Sequence, residues 1–267
     1  MRNLLMKIVA FACLFTVALN AQTLKVHPFT GAVGSVSNIL EFDDFLILVD
    51  PQETYKSQKA LNRFMETLNK PLKGVILATH AISSDAYDGL PIYGTKAMDK
   101  FVEDGKIDFF INLFGESFGE DMIRTSIRPT HFLENGNNDI NGVNFIITKN
   151  DQGFPPEIDF EIKGQSVYFS HIAADSSHYL IHSKDEIKTL IEKWERIKKE
   201  GYGTILSSHM PAIGQNGVDF VIGYLKAAET VLAKDLTKDG YIAEMKALYP
   251  NAGMELFLYM SADSIYK

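Results

Sequence analysis

The chain has 267 residues, 46% of them hydrophobic and 22% charged, which is enough apolar material to bury a full core in one large domain. Its formal net charge of -8 gives no support to a nucleic-acid partner, since phosphate binding needs a basic surface. The only cysteine, Cys13, falls in the first segment, so the rest of the chain has neither disulfides nor thiolate metal ligands.

Met1 to Ala21 reads as a signal peptide. Arg2 and Lys7 supply the charged start, Ile8 to Leu19 the apolar core, and Asn20-Ala21 a small-residue exit before Gln22. The apolar core is too short for a comfortable membrane span, so export to a bacterial periplasm or secretion is expected. Residues 22–267 are then expected to form a single domain with no membrane span.

From Leu24 strands and helices alternate. Lys25 to Phe29, Ser35 to Phe42 and Phe45 to Val49 read as strands, the last two joined at Asp43-Asp44. The run LILVD ends in Asp50, a carboxylate delivered by a buried strand, which suits an N-cap for the next helix. Tyr55 to Leu68 reads as a helix with Leu61, Phe64, Met65 and Leu68 on one face, stopped by Lys70-Pro71.

Gly74 to Ala78 is a short apolar strand running into a polar loop with Thr79, His80, Asp85 and Asp88. Strand ends of this kind are where α/β proteins collect their chemistry. Asp88, before Gly89, reads as a turn residue. Pro91 to Tyr93 reads as a strand and Thr95 to Glu103 as a helix. Phe109 to Met122, aromatic and glycine-containing, reads as a core helix pair, with the wall of a substrate pocket as the alternative.

In the second half, His131 to Glu134 and Val143 to Thr148 read as antiparallel strands around the turn-rich segment NGNNDING. Glu157 to Ile162 and Gln165 to Ser170 form a further hairpin. Ser183 to Glu200 is a helix with a capping box at Ser183 and Glu186, ended by Gly201. Thr204 to Ser208 is a last inner strand ending in His209, and Val218 to Ala233 an amphipathic helix. Tyr241 to Lys267 begins as helix.

Two β-rich halves with helices outside, together with the strand-to-His80 junction, SNIL before LILVD and ILSSH before a helix, resemble the metallo-β-lactamase superfamily. The resemblance implies an αββα sandwich. It also implies a metal-binding loop reading Thr-His-x-His-x-Asp-His. Here His80 stands at its first ligand position, Ile82 at the second histidine position, and Ser84 and Asp85 where Asp-His would stand. A one-residue insertion instead puts Asp85 at the motif's aspartate and Ala86 at its last histidine.

By the same resemblance, Asp50 braces the metal-binding loop and His209 is the last ligand, with Ser208 in place of the usual glycine. No histidine stands between Asp151 and Glu157, and His171-Ile172 replaces the bridging aspartate, with Asp175 and His178 further on. The expected ligands are thus His80 and His209, with Asp85, His171 or His178 as a third. Taken singly, His171, His178 and His182 also suit hydrogen-bonded structural roles, and His27 and His131 are given none.

A catalytic zinc keeps three protein ligands and one open position, so one metal is expected and a dinuclear centre is not. Nitrogen and oxygen donors suit zinc foremost, then manganese or iron. Two functions follow. One is an exported one-metal hydrolase acting on an ester, lactam or thioester, with Asp85 handling the proton. The alternative is a non-catalytic protein that has lost the metal and keeps the cleft for a small molecule or partner.

Overall fold

The computed structural model describes residues 23–32 and 34–267; the signal peptide read at Met1 to Ala21 lies outside them. Among the described residues, eleven strands form two sheets. The first holds β1 (Lys25–Thr30), β2 (Val36–Glu41), β3 (Leu46–Val49), β4 (Leu72–Ile76), β5 (Ile92–Gly94) and β6 (His131–Phe132) in that order. Its first three strands are antiparallel, and β3 to β6 run parallel. The second holds β7 (Gly136–Ile140), β8 (Val143–Asn150), β9 (Glu157–Ile162), β10 (Val167–Phe169) and β11 (Thr204–Leu206). It runs antiparallel from β7 to β10, with β11 parallel to β10.

Strand alternation sends one face of each sheet inward. Leu40, Ile47, Val49 and Ile76 of the first sheet meet Phe145, Ile147, Phe160 and Leu206 of the second. The outer face of the first sheet, with Ile39, Leu48 and Val75, is covered by Leu61 of α1 (Tyr55–Thr67), Phe101 of α2 (Lys96–Glu103) and Ile111 of α3 (Asp108–Phe118). That of the second, with Tyr168 and Ile205, is covered by four helices. Trp194 comes from α4 (Glu186–Glu200), Leu225 from α5 (Gln215–Leu232), Tyr241 from α6 (Lys238–Leu248) and Leu258 from α7 (Glu255–Ile265). The architecture is the αββα sandwich. No helix among the described residues is long and apolar enough to cross a membrane.

Local signals explain most boundaries. Ser183 and Glu186 exchange backbone-to-side-chain hydrogen bonds at 3.3 and 3.2 Å, the capping box read from the sequence. Gly201 ends α4 in the left-handed conformation at φ 73°. The N-cap of α1 is Thr54, whose Oγ1 accepts from Ser57 N, so Asp50 does not serve as the cap.

One pairing departs from expectation. His131–Phe132 joins the first sheet beside β5, and the partner of β8 is β7, lying inside the segment read as turn-rich. The hairpin turn is made by Asn141 and Gly142, both with positive φ (53° and 81°), which is the two-residue hairpin geometry. The asparagines before them are extended, against their usual preference.

At the edge of the first sheet, Glu41 of β2 takes His27 Nε2 of β1 at 2.6 Å and Lys70 Nζ at 2.7 Å. The hydrogen bond from Lys70, then that from His27, hold its carboxyl at about 2. A depressed carboxylate stabilises the fold above its ordinary range and loses that effect as pH falls through the folded value. The stability gap between wild type and Glu41→Gln, read from urea midpoints, is expected to be full near neutrality and to close between pH 4.5 and about 2.

Candidate metal centre

The centre is built where strand ends of both sheets meet. Asp50 follows β3 with φ 53°, a conformation that aspartate tolerates better than most residues. Its Oδ1 accepts from the backbone amides of Ala78, Thr79 and His80 at 2.8, 3.0 and 3.1 Å. Its Oδ2 accepts from Ser208 Oγ at 2.8 Å. One buried carboxylate therefore holds the loop that carries His80 and the strand end that carries His209. The serine that replaces glycine before His209 is the donor from the second sheet.

His80, His171 and His209 converge, each offering one ring nitrogen within 4.8 Å of the others. His209 Nε2 lies 3.3 Å from His80 Nε2 and 3.0 Å from His171 Nε2. Nitrogens around a tetrahedral zinc, at Zn–N distances of 2.0–2.1 Å, stand about 3.3 Å apart, so the spacing fits such an ion.

The far sides of the rings are also committed. Glu157 Oε2 sits 2.7 Å from His171 Nδ1. Glu53 Oε1 sits 3.0 Å from His80 Nδ1, at ion-pair distance though off the hydrogen-bond line. The Gly34 backbone hydrogen-bonds the His209 ring. Carboxylates at Nδ1 place the proton there and leave the Nε2 lone pairs of His80 and His171 facing inward. With that tautomer the inward lone pairs, 3.0–3.3 Å apart, would repel one another, and a cation between them would remove the repulsion.

The electrostatics are uneven. Burial pushes the His209 pKa well below its ordinary value, and the neighbouring charges of His80 and His171 push it further. Burial also acts to lower that of His80, but the adjacent carboxylate of Glu53, with that of Asp50, outweighs it and raises the net value. Burial disfavours the charged form of Glu157, yet the His171 hydrogen bond and charge, with Lys193, hold its carboxyl at about 2.

Two expected ligands lie elsewhere. Asp85 sits exposed on a single 3-10 turn (Asp85–Tyr87), outside the cluster and the cavity lining, so it can serve neither as ligand nor as proton carrier in this arrangement. His178 is buried in the helical layer, its Nδ1 3.0 Å from Tyr224 Oη, and is not part of the cluster. Ile82, at the second histidine position of the motif, is buried and lines the cavity.

The three histidines open onto a cavity of about 150 Å³. Phe110, Leu113 and Phe114 of α3 form one wall, so the segment from Phe109 to Met122 is a pocket wall as well as a core element. Sequence reasoning missed Glu53 and Glu157. The available signals were the acidic residue closing DPQE after a buried strand and the one opening β9 after a proline pair.

No family model and no curated sequence matches this chain. Solved structures do. A mono-zinc metallo-β-lactamase from Pseudomonas aeruginosa superposes with a TM-score of 0.51 at 15% identity, covering 76% of this chain and 96% of that one. A double mutant of a sec-alkyl sulfatase gives 0.62 at 14%, and the stereoselective inverting sec-alkylsulfatase from Pseudomonas sp. gives 0.57 at 14%. These cover 89% and 87% of this chain, which spans about half of theirs, 48% and 47%. The chain has the metallo-β-lactamase fold. Within that fold it carries a three-histidine cluster compatible with a reduced metal site.

Asp50→Ala removes the acceptor of three amides and a hydroxyl and leaves alanine at positive φ; it is expected to cost about 3 kcal/mol or more in urea unfolding. Asp50→Asn, which keeps an acceptor and tolerates the backbone, should cost less than half as much. In zinc titrations against a competing chelator, Glu53→Gln and Glu157→Gln are each expected to weaken affinity by about 10–100-fold with the fold intact.

Proposed function

We propose that this protein is an exported hydrolase working with one divalent ion, zinc by preference, held by His80, His171 and His209. The observation that carries the reading is the meeting of three Nε2 atoms at one point on the cavity floor. An all-imidazole set without sulfur suits zinc. Three protein ligands leave a fourth tetrahedral position for substrate or water, the mark of catalytic rather than structural sites.

When bound, the ion would supply Lewis-acid polarisation of a carbonyl and a nucleophile drawn from water near neutral pH. The chain's own residues do the positioning. Glu53 and Glu157 orient His80 and His171 through Nδ1, and Asp50 fixes the backbone that carries His80 and the serine before His209. Glu53 is the only carboxylate among the described residues lining the cavity, and its oxygens are engaged by His80 and Ser35. Its role is therefore orientation, and the proton-handling role assigned to Asp85 has no carboxylate to take it over. The reaction class is hydrolysis of an ester, lactam or thioester. Export rests on the charged start and apolar core of Met1 to Ala21.

The test is metal content of protein recovered from the periplasm without chelator. About one zinc per chain is expected, together with an N-terminus near Gln22. His80→Ala, His171→Ala and His209→Ala should each abolish stoichiometric binding. Failure of wild type to retain metal after zinc, manganese or iron reconstitution would overturn the hydrolase reading, leaving a binding cleft. An uncleaved N-terminus in the cytoplasmic fraction would overturn export.

A further inference from the structure

Away from its histidine floor the cavity is lined almost wholly by carbon. Opposite the α3 wall stand Leu256, Phe257 and Met260 of α7. Phe154 adds its ring to the α3 side, with its centroid 5.6 Å from Phe110 and 5.8 Å from Phe109. Phe109, Leu113, Phe154 and Leu256 remain 46–60% exposed. Large apolar side chains gathered on a surface in this way mark a place where something apolar is received. Among the described residues lining the cavity there is no lysine or arginine; the acidic group present is Glu53, and Glu157 stands just behind His171.

We propose that the cavity receives the aliphatic chain of a neutral carboxylic ester, with the chain between α3 and α7 and the ester carbonyl at the three histidines. This assignment deepens the hydrolase reading and rests on it. A cavity of about 150 Å³ whose walls are mainly leucine, methionine and phenylalanine side chains accommodates a group of about six carbons, which sets the chain length. A charged group placed in the slot between α3 and α7 would lose its hydration with no lysine or arginine among the described lining residues to replace it.

The reaction balances without a further reactant. Water oxygen bonds to the acyl carbon as the carbon–oxygen bond to the alcohol breaks. One water proton goes to the departing alkoxide, and the acyl carbon keeps the hydroxyl as a carboxylic acid.

The experiment has a kinetic arm and a binding arm on the zinc-loaded protein. In the first, kcat/KM is measured for p-nitrophenyl acetate, butanoate, hexanoate and dodecanoate, with p-nitrophenyl sulfate as the anionic comparison. The expected gain is about fourfold per methylene from acetate to hexanoate, with no turnover of the sulfate. In the second, hexanamide and hexanoate are compared by ligand-observed NMR, with and without zinc, and the amide should bind in both cases. Leu256→Lys, at an exposed position of the rim, should lower kcat/KM for the hexanoate ester about tenfold and bring hexanoate anion into the bound set.

Rates independent of chain length with no amide binding would overturn the chain assignment while leaving hydrolysis standing. Preference for the sulfate would overturn it also. Amide binding without cleavage of any ester would support the assignment and remove the hydrolase reading beneath it.

Discussion

The carboxylate of Asp50 receives hydrogen bonds from two sheets at once. Three come from consecutive amides at the end of β4, one from the hydroxyl next to His209. Each buried donor would cost free energy if left unpaired, so the aspartate and both strand ends are mutually obligatory. Everything chemical in the molecule follows from that junction. His80 and His209 approach because the His80 amide and the hydroxyl of Ser208, next to His209, share one carboxylate, and His171 completes the set from the end of β10, the strand beside β11. A strained-looking φ at Asp50 is the local cost of turning its side chain into this gap.

The damaged motif and the surviving cluster are compatible once ligands are counted by position in space. Ile82 removes one nitrogen from the first-sheet loop, and His171 contributes one from the second sheet, where the superfamily pattern expects an aspartate. The result is a mixed three-nitrogen set that no contiguous motif describes. Its outer carboxylates are unrelated in sequence: Glu53 comes from the β3–α1 connection and Glu157 from the first residue of β9. They nevertheless do the same job at the same ring nitrogen.

How much of this was legible follows from the range of the forces involved. The bracing role of Asp50 came from the family resemblance, whereas strands β1 to β5, helices α1, α2, α4 and α5 and the capping box at Ser183 rest on local periodicity and caps, and the sequence carries those directly. His80 and His209 were likewise visible as strand-end residues. Contacts between distant segments were not. Nothing near Glu157 announces His171, and the exposed turn that carries Asp85 away from the cluster is decided by its own local hydrogen bonds, Ser84 Oγ accepting from Ala86 N among them. Strand β7 was masked by asparagine and glycine, whose turn preference makes the hairpin only at Asn141-Gly142 while Asn137 and Asn138 lie in the strand. For α3 the sequence offered both core and pocket wall, because an aromatic helix looks the same whether its neighbour is core or cavity, and here it faces both.

Glu53 and Glu157, set behind two of the three imidazoles, have a consequence for electroneutrality. Two carboxylates beside one divalent ion would offset its charge, so filling the centre would bury an ion together with counter-charges. A monovalent ion would leave the centre negative, a trivalent one positive, and either would project an uncompensated charge along walls that have nothing to screen it. A divalent charge at this centre would thereby be favoured by residues that never touch the ion.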